Sequence, residues 1–508
     1  MARLITARTG LCAGVTLSAM LMSTAAWADL TPAQVWGDWK QYMEGMGYTV
    51  TATENVNGSD LTVSDISMSM QLPDNAGDMS MSMGTLSFAQ NGGAVDVIMP
   101  EVMPITLNAL DGADKFAMNF EFTQTGHKMT ASGTPDQATY DYSAATIDVT
   151  LTQLQVGDDT FGPDNAKLNL TATGLSSSTT MTIADLRSYS QTGMIQSVKY
   201  DVAIDNPEEP VKVKLNGTLA DLSFDGGGAI PLVILDASDM AAMLKAGFAM
   251  KGQINYGSGA THMEVEDPAS GNFMADTSSQ GGSLAFTMNE TELAYSGDQN
   301  NISVNVQAAQ LPFPVELSMA KAGFNVAVPI GKSDDPQDFA FGITMGDFVM
   351  SDLIWSIFDP TAQLPRDPAT ILLDLSGKAK MLVDLMNPEA AAGMDVPGEL
   401  HALTLNKVLL SAAGAKLEGA GDFTFDNSDM TTIPGMPKPV GAIDVALAGG
   451  NGLMDKLVAM GLLPEEQAMG ARMMMGLFAV PGDAPDTLKS KVEFTEEGQI
   501  LANGQRIK

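Results

Sequence analysis

Leu61-Thr-Val-Ser-Asp-Ile-Ser-Met68 alternates apolar and polar residues, skips one place at Ser64-Asp65, and then resumes its alternation. The same apolar-x-apolar-x-x-apolar-x-apolar jog recurs at Met81-Met83-Leu86-Phe88, Val149-Leu151-Leu154-Val156, Ile343-Met345-Phe348-Met350 and Leu403-Leu405-Val408-Leu410, with a partial copy at Leu219-Leu222-Phe224. Alternation marks a strand with one buried face, because successive side chains point to opposite sides of the sheet. A shift of one place would turn every later apolar side chain to solvent unless a β-bulge absorbs it, restoring the facing and bending the strand. Bulges are therefore expected at Ser64-Asp65, Gly84-Thr85, Thr152-Gln153, Gly346-Asp347 and Asn406-Lys407. A tight hairpin turn at each pair is the competing explanation, since residues flanking a two-residue turn also share a face. The fold class that follows is mainly β: a large curved antiparallel sheet, built as a bulged meander with a few short helices.

Around this core pattern, the chain opens with the features of an export signal. Arg3 and Arg8 precede an apolar run from Leu11 to Met22, and Ala26-Trp27-Ala28 before Asp29 has the small-x-small form of a cleavage site. The run is shorter than the roughly 20 apolar residues that an anchor needs. Cleavage after Ala28 and a periplasmic location are expected, with no transmembrane segment in the mature chain. Cys12, the single cysteine, lies inside the signal, and Thr9 stands where a lipoprotein signal would place leucine. The mature chain then relies on burial alone, which its length can supply.

The formal charge is −35, and without Arg3 and Arg8 the mature form has 24 basic against 61 acidic residues, or −37. Such a balance excludes nucleic acid as a ligand, because phosphate binding needs clustered Lys and Arg. It also opposes tight docking to anionic headgroups.

Past residue 28, Thr31-Pro32 reads as the start of a helix on which Val35, Trp39, Tyr42, Met43 and Met46 recur at helical spacing. Strand patterns fill Tyr48 to about Phe224, punctuated by turn clusters such as Asn91-Gly92-Gly93 and Gly162-Pro163-Asp164-Asn165. After Gly226-Gly227-Gly228, Ser238 reads as a cap for a helix to Phe248, and a half-boundary is placed there. The halves are 29–235 and 236–508. Helices are expected at 32–46, 238–248, 351–358 and, as a pair, 452–478, with another short one near Pro388 to Ala392. These are too few to cover the apolar face of some twenty strands, so the sheet must fold back on itself, dimerise, or leave a groove.

Chemistry-bearing motifs are sparse. Methionine is abundant, 36 of 508 residues, and Met68, Met70, Met79, Met81 and Met83 alternate with serine. Thioethers at this spacing can bind Cu(I), but residues two apart on a strand are first of all its apolar face, and no His or Cys stands close by. His127, His262 and His401 are scattered without metal-ligand spacing. Ser318-Met-Ala-Lys321 matches a Ser-x-x-Lys pattern without its Lys-Thr-Gly companion. No cofactor, metal or catalytic residue is expected.

Five strings carry a family resemblance: Gly421-Asp-Phe-Thr-Phe-Asp-Asn427, Asn451-Gly-Leu-Met-Asp-Lys-Leu457, Gly461-Leu-Leu-Pro-Glu-Glu466, Arg472-Met-Met-Met-Gly-Leu-Phe478 and Ala502-Asn-Gly-Gln-Arg506. Together they resemble the Gram-negative envelope family catalogued as domain of unknown function 2125. The resemblance implies a periplasmic place and brings no activity, cofactor or catalytic residue.

The function expected from these features is that of an exported, non-catalytic envelope protein binding lipid or another apolar ligand on a curved sheet face. Met68, Met70, Met81, Met83, Leu86, Phe88, Met345, Phe348 and Met350 are expected to line that face together. The alternative is a structural or protein-interaction role with an envelope partner, the apolar face closed as core. An enzyme is the third reading.

Overall fold

The computed structural model describes residues 29–71, 78–111, 114–205, 210–232, 239–387, 392–393 and 396–508. The expected signal at 1–28, the capping role of Ser238 and most of the helix near Pro388 to Ala392 lie outside the described residues. Strand accounts for 64% and helix for 12%, so helices can shield only a small part of the sheet.

Helix α1 (Pro32–Gly45) precedes β1 (Thr49–Asn57), β2 (Asp60–Gln71), β3 (Asp78–Met83), β4 (Leu86–Asn91), β5 (Ala94–Ile98), β6 (Val102–Asp111), β7 (Asp114–Thr125) and β8 (Lys128–Thr134). The longest strands follow: β9 (Gln137–Val156) with the short β10 (Asp159–Phe161), then β11 (Ala166–Ile183), β12 (Leu186–Asp205) and β13 (Lys212–Pro231). After α2 (Met240–Lys245) come β14 (Ala249–Tyr256), β15 (Ser258–Glu266), β16 (Phe273–Ser279), β17 (Gly282–Met288), β18 (Glu292–Ala308), β19 (Val315–Pro329) and β20 (Gln337–Met350). Helix α3 (Asp352–Phe358) leads to β21 (Ala369–Met381), β22 (Gly398–Ala412), β23 (Ala415–Asp426) and β24 (Lys438–Ala448). Helices α4 (Gly450–Ala459) and α5 (Glu465–Phe478) precede β25 (Val480–Pro481), β26 (Thr487–Phe494), β27 (Ile500–Ala502) and β28 (Gln505–Arg506). Among the described residues, 28 strands belong to one sheet, and every pairing within it is antiparallel. The cap of α2 is Asp239, whose carboxylate accepts from the Ala242 N–H at 2.9 Å.

Bulges rather than turns explain the jogs. In β2 the ladder to β1 shifts between Thr51 and Thr53 around Asp65, which has φ of +52°. In β9, Thr152 is the extra residue between Gln153, opposite Asn119, and Leu151, opposite Phe120. Gly346-Asp347 and Asn406-Lys407 likewise sit inside continuous strands with shifted ladders. Gly84-Thr85 differs: it separates β3 from β4, yet the chain runs on without reversal, since Met83 pairs with Ile66 and Leu86 with Val63 of the same strand. Two facing bulges there cancel in register.

The irregularities join into a seam. From Asp65 opposite Gly84-Thr85, the line passes Gly126-His127, Gly174, Asp221, Gly257, Gly281 and Asn301 to Asp347, each falling between paired residues on neighbouring strands. Gly126, Gly174, Asp221, Gly281, Asn301 and Asp347 all take positive φ, the region that Gly, Asn and Asp enter at least cost. Because each bulge bends its strand, aligned bulges crease the sheet along one line. Thr152 and Asn406 lie off this line.

The tightest core sits at the N-terminal end. Val35 and Trp36 of α1, with Trp39 and Met43 beside them, cover Leu61, Val63, Ile66, Met68, Leu86, Phe88, Val95, Val97 and Tyr140. The helix begins where the Thr31 N–H donates to Gln34 Oε1 at 3.0 Å. Arg187 of β12, only 5% exposed, reaches Asp38 at 2.7 Å and stacks over Tyr42, and the Trp36 indole donates to Glu54 at 2.8 Å. These polar contacts fix where α1 lies on the sheet.

Candidate apolar binding face

Cross-strand partners point to the same face, so a row can be followed across the molecule. Phe88 pairs with Val97, and the row runs on through Met129, Tyr142, Ser177 and Gly193 to Phe224. It continues through Ile254, Leu284, Gly297, Phe324, Ile343, Leu373, Val408 and Gly419 to Val445. No charged residue interrupts it. One place along each strand the side chains face the other way, and that row reads Thr192, Asp225, Gln253, Ala285, Ser296, Asn325, Gly342, Asp374. The sheet thus has one apolar and one polar face across these strands.

Both ends of the apolar row are capped and its middle is open. At one end Phe88 is fully buried under Trp36 and Trp39, with ring centroids 6.2 and 5.6 Å away. At the other, Met474, Met475 and Phe478 of α5 lie over Leu417, Val445, Leu447 and Leu488 and enclose about 290 Å³. Between them Ile254, Leu284, Phe324 and Ile343 remain 48, 52, 46 and 38% exposed. With Tyr256, Gln299, Ala322 and Met345 these side chains line a hollow of about 550 Å³. From β14 to β22 the open stretch takes six strand-to-strand steps, roughly 30 Å at the usual spacing.

The floor of this face is built from aromatic rings laid over glycines. A Cβ on Gly193 would stand 2.3 Å from Phe224 Cζ, on Gly252 2.8 Å from Phe286 Cε1, on Gly282 2.8 Å from Tyr256 Cε1, and on Gly297 2.9 Å from Phe324 Cε1. Each ring occupies the space its cross-strand partner leaves empty. The rings recline and cover backbone, which keeps the floor low and smooth.

The residues expected to line the ligand face fall into different surroundings. Met68, Leu86 and Phe88 are buried core, with Met81 and Met83 packed against them and Met70 half-buried. They share the apolar face, but α1 closes it there, so this part is interior and not a groove. Met345 lines the hollow, while Phe348 and Met350 continue its face half-buried beyond the seam. Sequence reasoning missed Ile254, Leu284 and Phe324. Each stands at an alternating apolar position, but the signal that they are open is the absence of anything over them, which no local pattern carries.

Other candidate groups sit apart. His127 Nε2 lies 3.0 Å from the Met99 carbonyl, His262 Nδ1 2.7 Å from Asp276, and His401 Nε2 3.4 Å from Glu399. Ser318 and Lys321 both belong to β19, opposite Val349 and Gly346. Met68 pairs with Met81 inside the core, where apolar packing accounts for the Met-x-Met spacing. Among the described residues no group of three or more His, Cys, Asp or Glu gathers as a metal site. Burial, with Asp38 alongside, pushes the Tyr140 hydroxyl above its usual range, which suits an anchor under α1. A further hollow of about 780 Å³ is lined mainly by polar-face side chains, among them Lys128, Asp141, Ser176 and Thr192. Among the described residues no helix is long and apolar enough to cross a membrane. No family model, no curated protein and no solved structure matches the chain.

Proposed function

We propose that this is an exported, non-catalytic protein of the Gram-negative envelope, akin to the family of domain of unknown function 2125, whose open apolar face binds the hydrocarbon part of a lipid. The observation that carries the reading is the uncovered middle of the apolar row, Ile254, Leu284, Phe324 and Ile343, between two ends that helices do cover. Leaving such area in water costs about 25 cal/mol per Å², which a bound acyl chain recovers. The row is uncharged, its floor is smooth, and its length of roughly 30 Å exceeds what one extended acyl chain needs, since a chain spans about half the hydrocarbon thickness of a bilayer. The basic N-terminal segment with its Ala26-Trp27-Ala28 site supports export, and the five C-terminal strings support the family.

The test is mass spectrometry of what co-purifies with the protein from the periplasm, repeated on Phe324→Asp. Phe324 is nearly half exposed, so the charged variant should fold. Lipid in the parent and its loss from the variant are expected. A parent that never carries lipid, or a variant that keeps it, overturns the reading and leaves the structural or protein-interaction role.

A further inference from the structure

Outside the hollow, exposed apolar side chains gather on α5 and α3. On α5, Met469, Met473 and Leu477 stand at i, i+4 and i+8 and are 65, 72 and 63% exposed, on a helix whose other side covers Leu417 and Leu447. Helix α3 adds Leu353 and Ile357, 50 and 68% exposed. The chain beyond α3 and the start of α4 both reach the turn between β22 and β23: a Cβ on Gly414 would stand 3.1 Å from Pro365 Cγ, and one on Gly449 2.2 Å from the Gly414 carbonyl oxygen. Arg472 pairs with Asp455 and Arg366 with Asp352, while Glu465 opens the same stripe one turn before Met469, with Glu466 beside it. In a chain of charge −35, an apolar stripe that ends in carboxylates fits an uncharged surface and not an anionic one. A second copy would bring its own −35 to the contact, and an anionic surface would be repelled.

We infer that α5 lies shallowly in a zwitterionic lipid surface, with Met469, Met473 and Leu477 below the headgroups, so that the open apolar face meets the bilayer at its α5 end. The inference rests on the lipid reading above. It draws on continuity: the row that holds Ile343 and Leu373 passes without a charged residue to Val445 under α5. The geometry is that of an interfacial helix, apolar on the outer stripe and lying in the plane of the surface.

The experiment is flotation of the full mature chain with phosphatidylcholine vesicles, comparing parent, the triple variant Met469→Gln/Met473→Gln/Leu477→Gln, and Phe324→Asp. The replaced helix side chains are mostly exposed, and circular dichroism with a melting curve checks that the fold is kept. Flotation of the triple variant should fall about tenfold or more with lipid on the sheet face retained, while Phe324→Asp should float like the parent yet carry no lipid. A parent that does not float, or a triple variant that floats equally, overturns the inference. So does a parent dimer, seen by light scattering, that the triple variant reduces to monomer, because the occupant would then be a second copy. If no lipid is ever found on the sheet face but flotation still depends on α5, surface docking stands and the binding reading falls.

Discussion

The two ends of one apolar row behave differently although the same alternation builds both. Around Phe88 the face is closed by α1, held by the Arg187–Asp38 pair and the Trp36–Glu54 hydrogen bond. Around Phe324 an equally apolar face is left uncovered by the described residues, and its rings lie down over glycines instead of standing into a core. Apolar patterning therefore decides which way a side chain points; whether that direction is interior depends on a covering element brought from elsewhere in the chain.

Shortening an aromatic at each end should give the largest difference between them. Phe88→Ala should cost about 3–5 kcal/mol, as for a fully buried ring, whereas Phe324→Ala should cost about 1 kcal/mol or less because much of that ring is already in water. Equal midpoint shifts in urea titrations of the two variants would show that the face around Phe324 is core as well.

Next in size is the anchor of α1. Arg187→Met leaves the Asp38 carboxylate half-enclosed without its partner and should destabilise by about 3 kcal/mol. Because replacing both partners removes the orphaned charge, Arg187→Met with Asp38→Leu should recover much of the loss. Thermal melts in a double-mutant cycle measure it, and an unchanged melting curve for Arg187→Met would mean that apolar packing alone seats the helix.

The reclining floor predicts a smaller effect. Gly193→Val drives a side chain into the space of the Phe224 ring and should cost about 1–3 kcal/mol, partly relieved in Gly193→Val/Phe224→Ala. Additive losses in that double variant would argue against the ring-over-glycine arrangement.

Smallest is a local acid effect at the α5 end. Burial alone would raise the Asp486 carboxyl, but N–H donors of Gly452 and Asn451 hold it below the usual range. A depressed pKa stabilises above the unfolded value, about 3.9, and the contribution fades as pH falls through the lower folded value. Hydrogen exchange in α4 should therefore quicken in strong acid, and Asp486→Asn should flatten that dependence; identical pH profiles would refute the clamp.

Local sequence made part of this legible. The jogs at Leu61 to Met68 and Met81 to Phe88 marked one point of the seam from its two facing strands, the partial copy at Leu219 to Phe224 a second and Ile343 to Met350 a third, and Thr31-Pro32 marked the start of α1. Most of the seam was invisible, because the residues flanking it on the apolar face include Gly259 with Tyr256, Ser279 with Gly282, and Gln299 with Ile302. Small and polar residues there hide the three-place step that Leu and Met display elsewhere. Thr152 and Asn406 gave the same pattern and prove to be bulges off the line, so the motif identified the local event but not its alignment.

Neighbouring residues suffice to specify a bulged antiparallel sheet with one apolar face and short helices near 32–46, 351–358 and 452–478, because alternation, bulge spacing and helix starts are local properties. Which part of that face is interior is settled when sheet and helices assemble. That Met68, Leu86 and Phe88 lie beneath α1 while Ile254, Leu284 and Phe324 lie open follows from where α1 and α5 dock, and docking is fixed by contacts between residues as far apart as Asp38 and Arg187. The floor was out of reach for the same reason: a ring lies over a glycine only when strand register sets them opposite, and register between distant strands is a property of the assembled sheet.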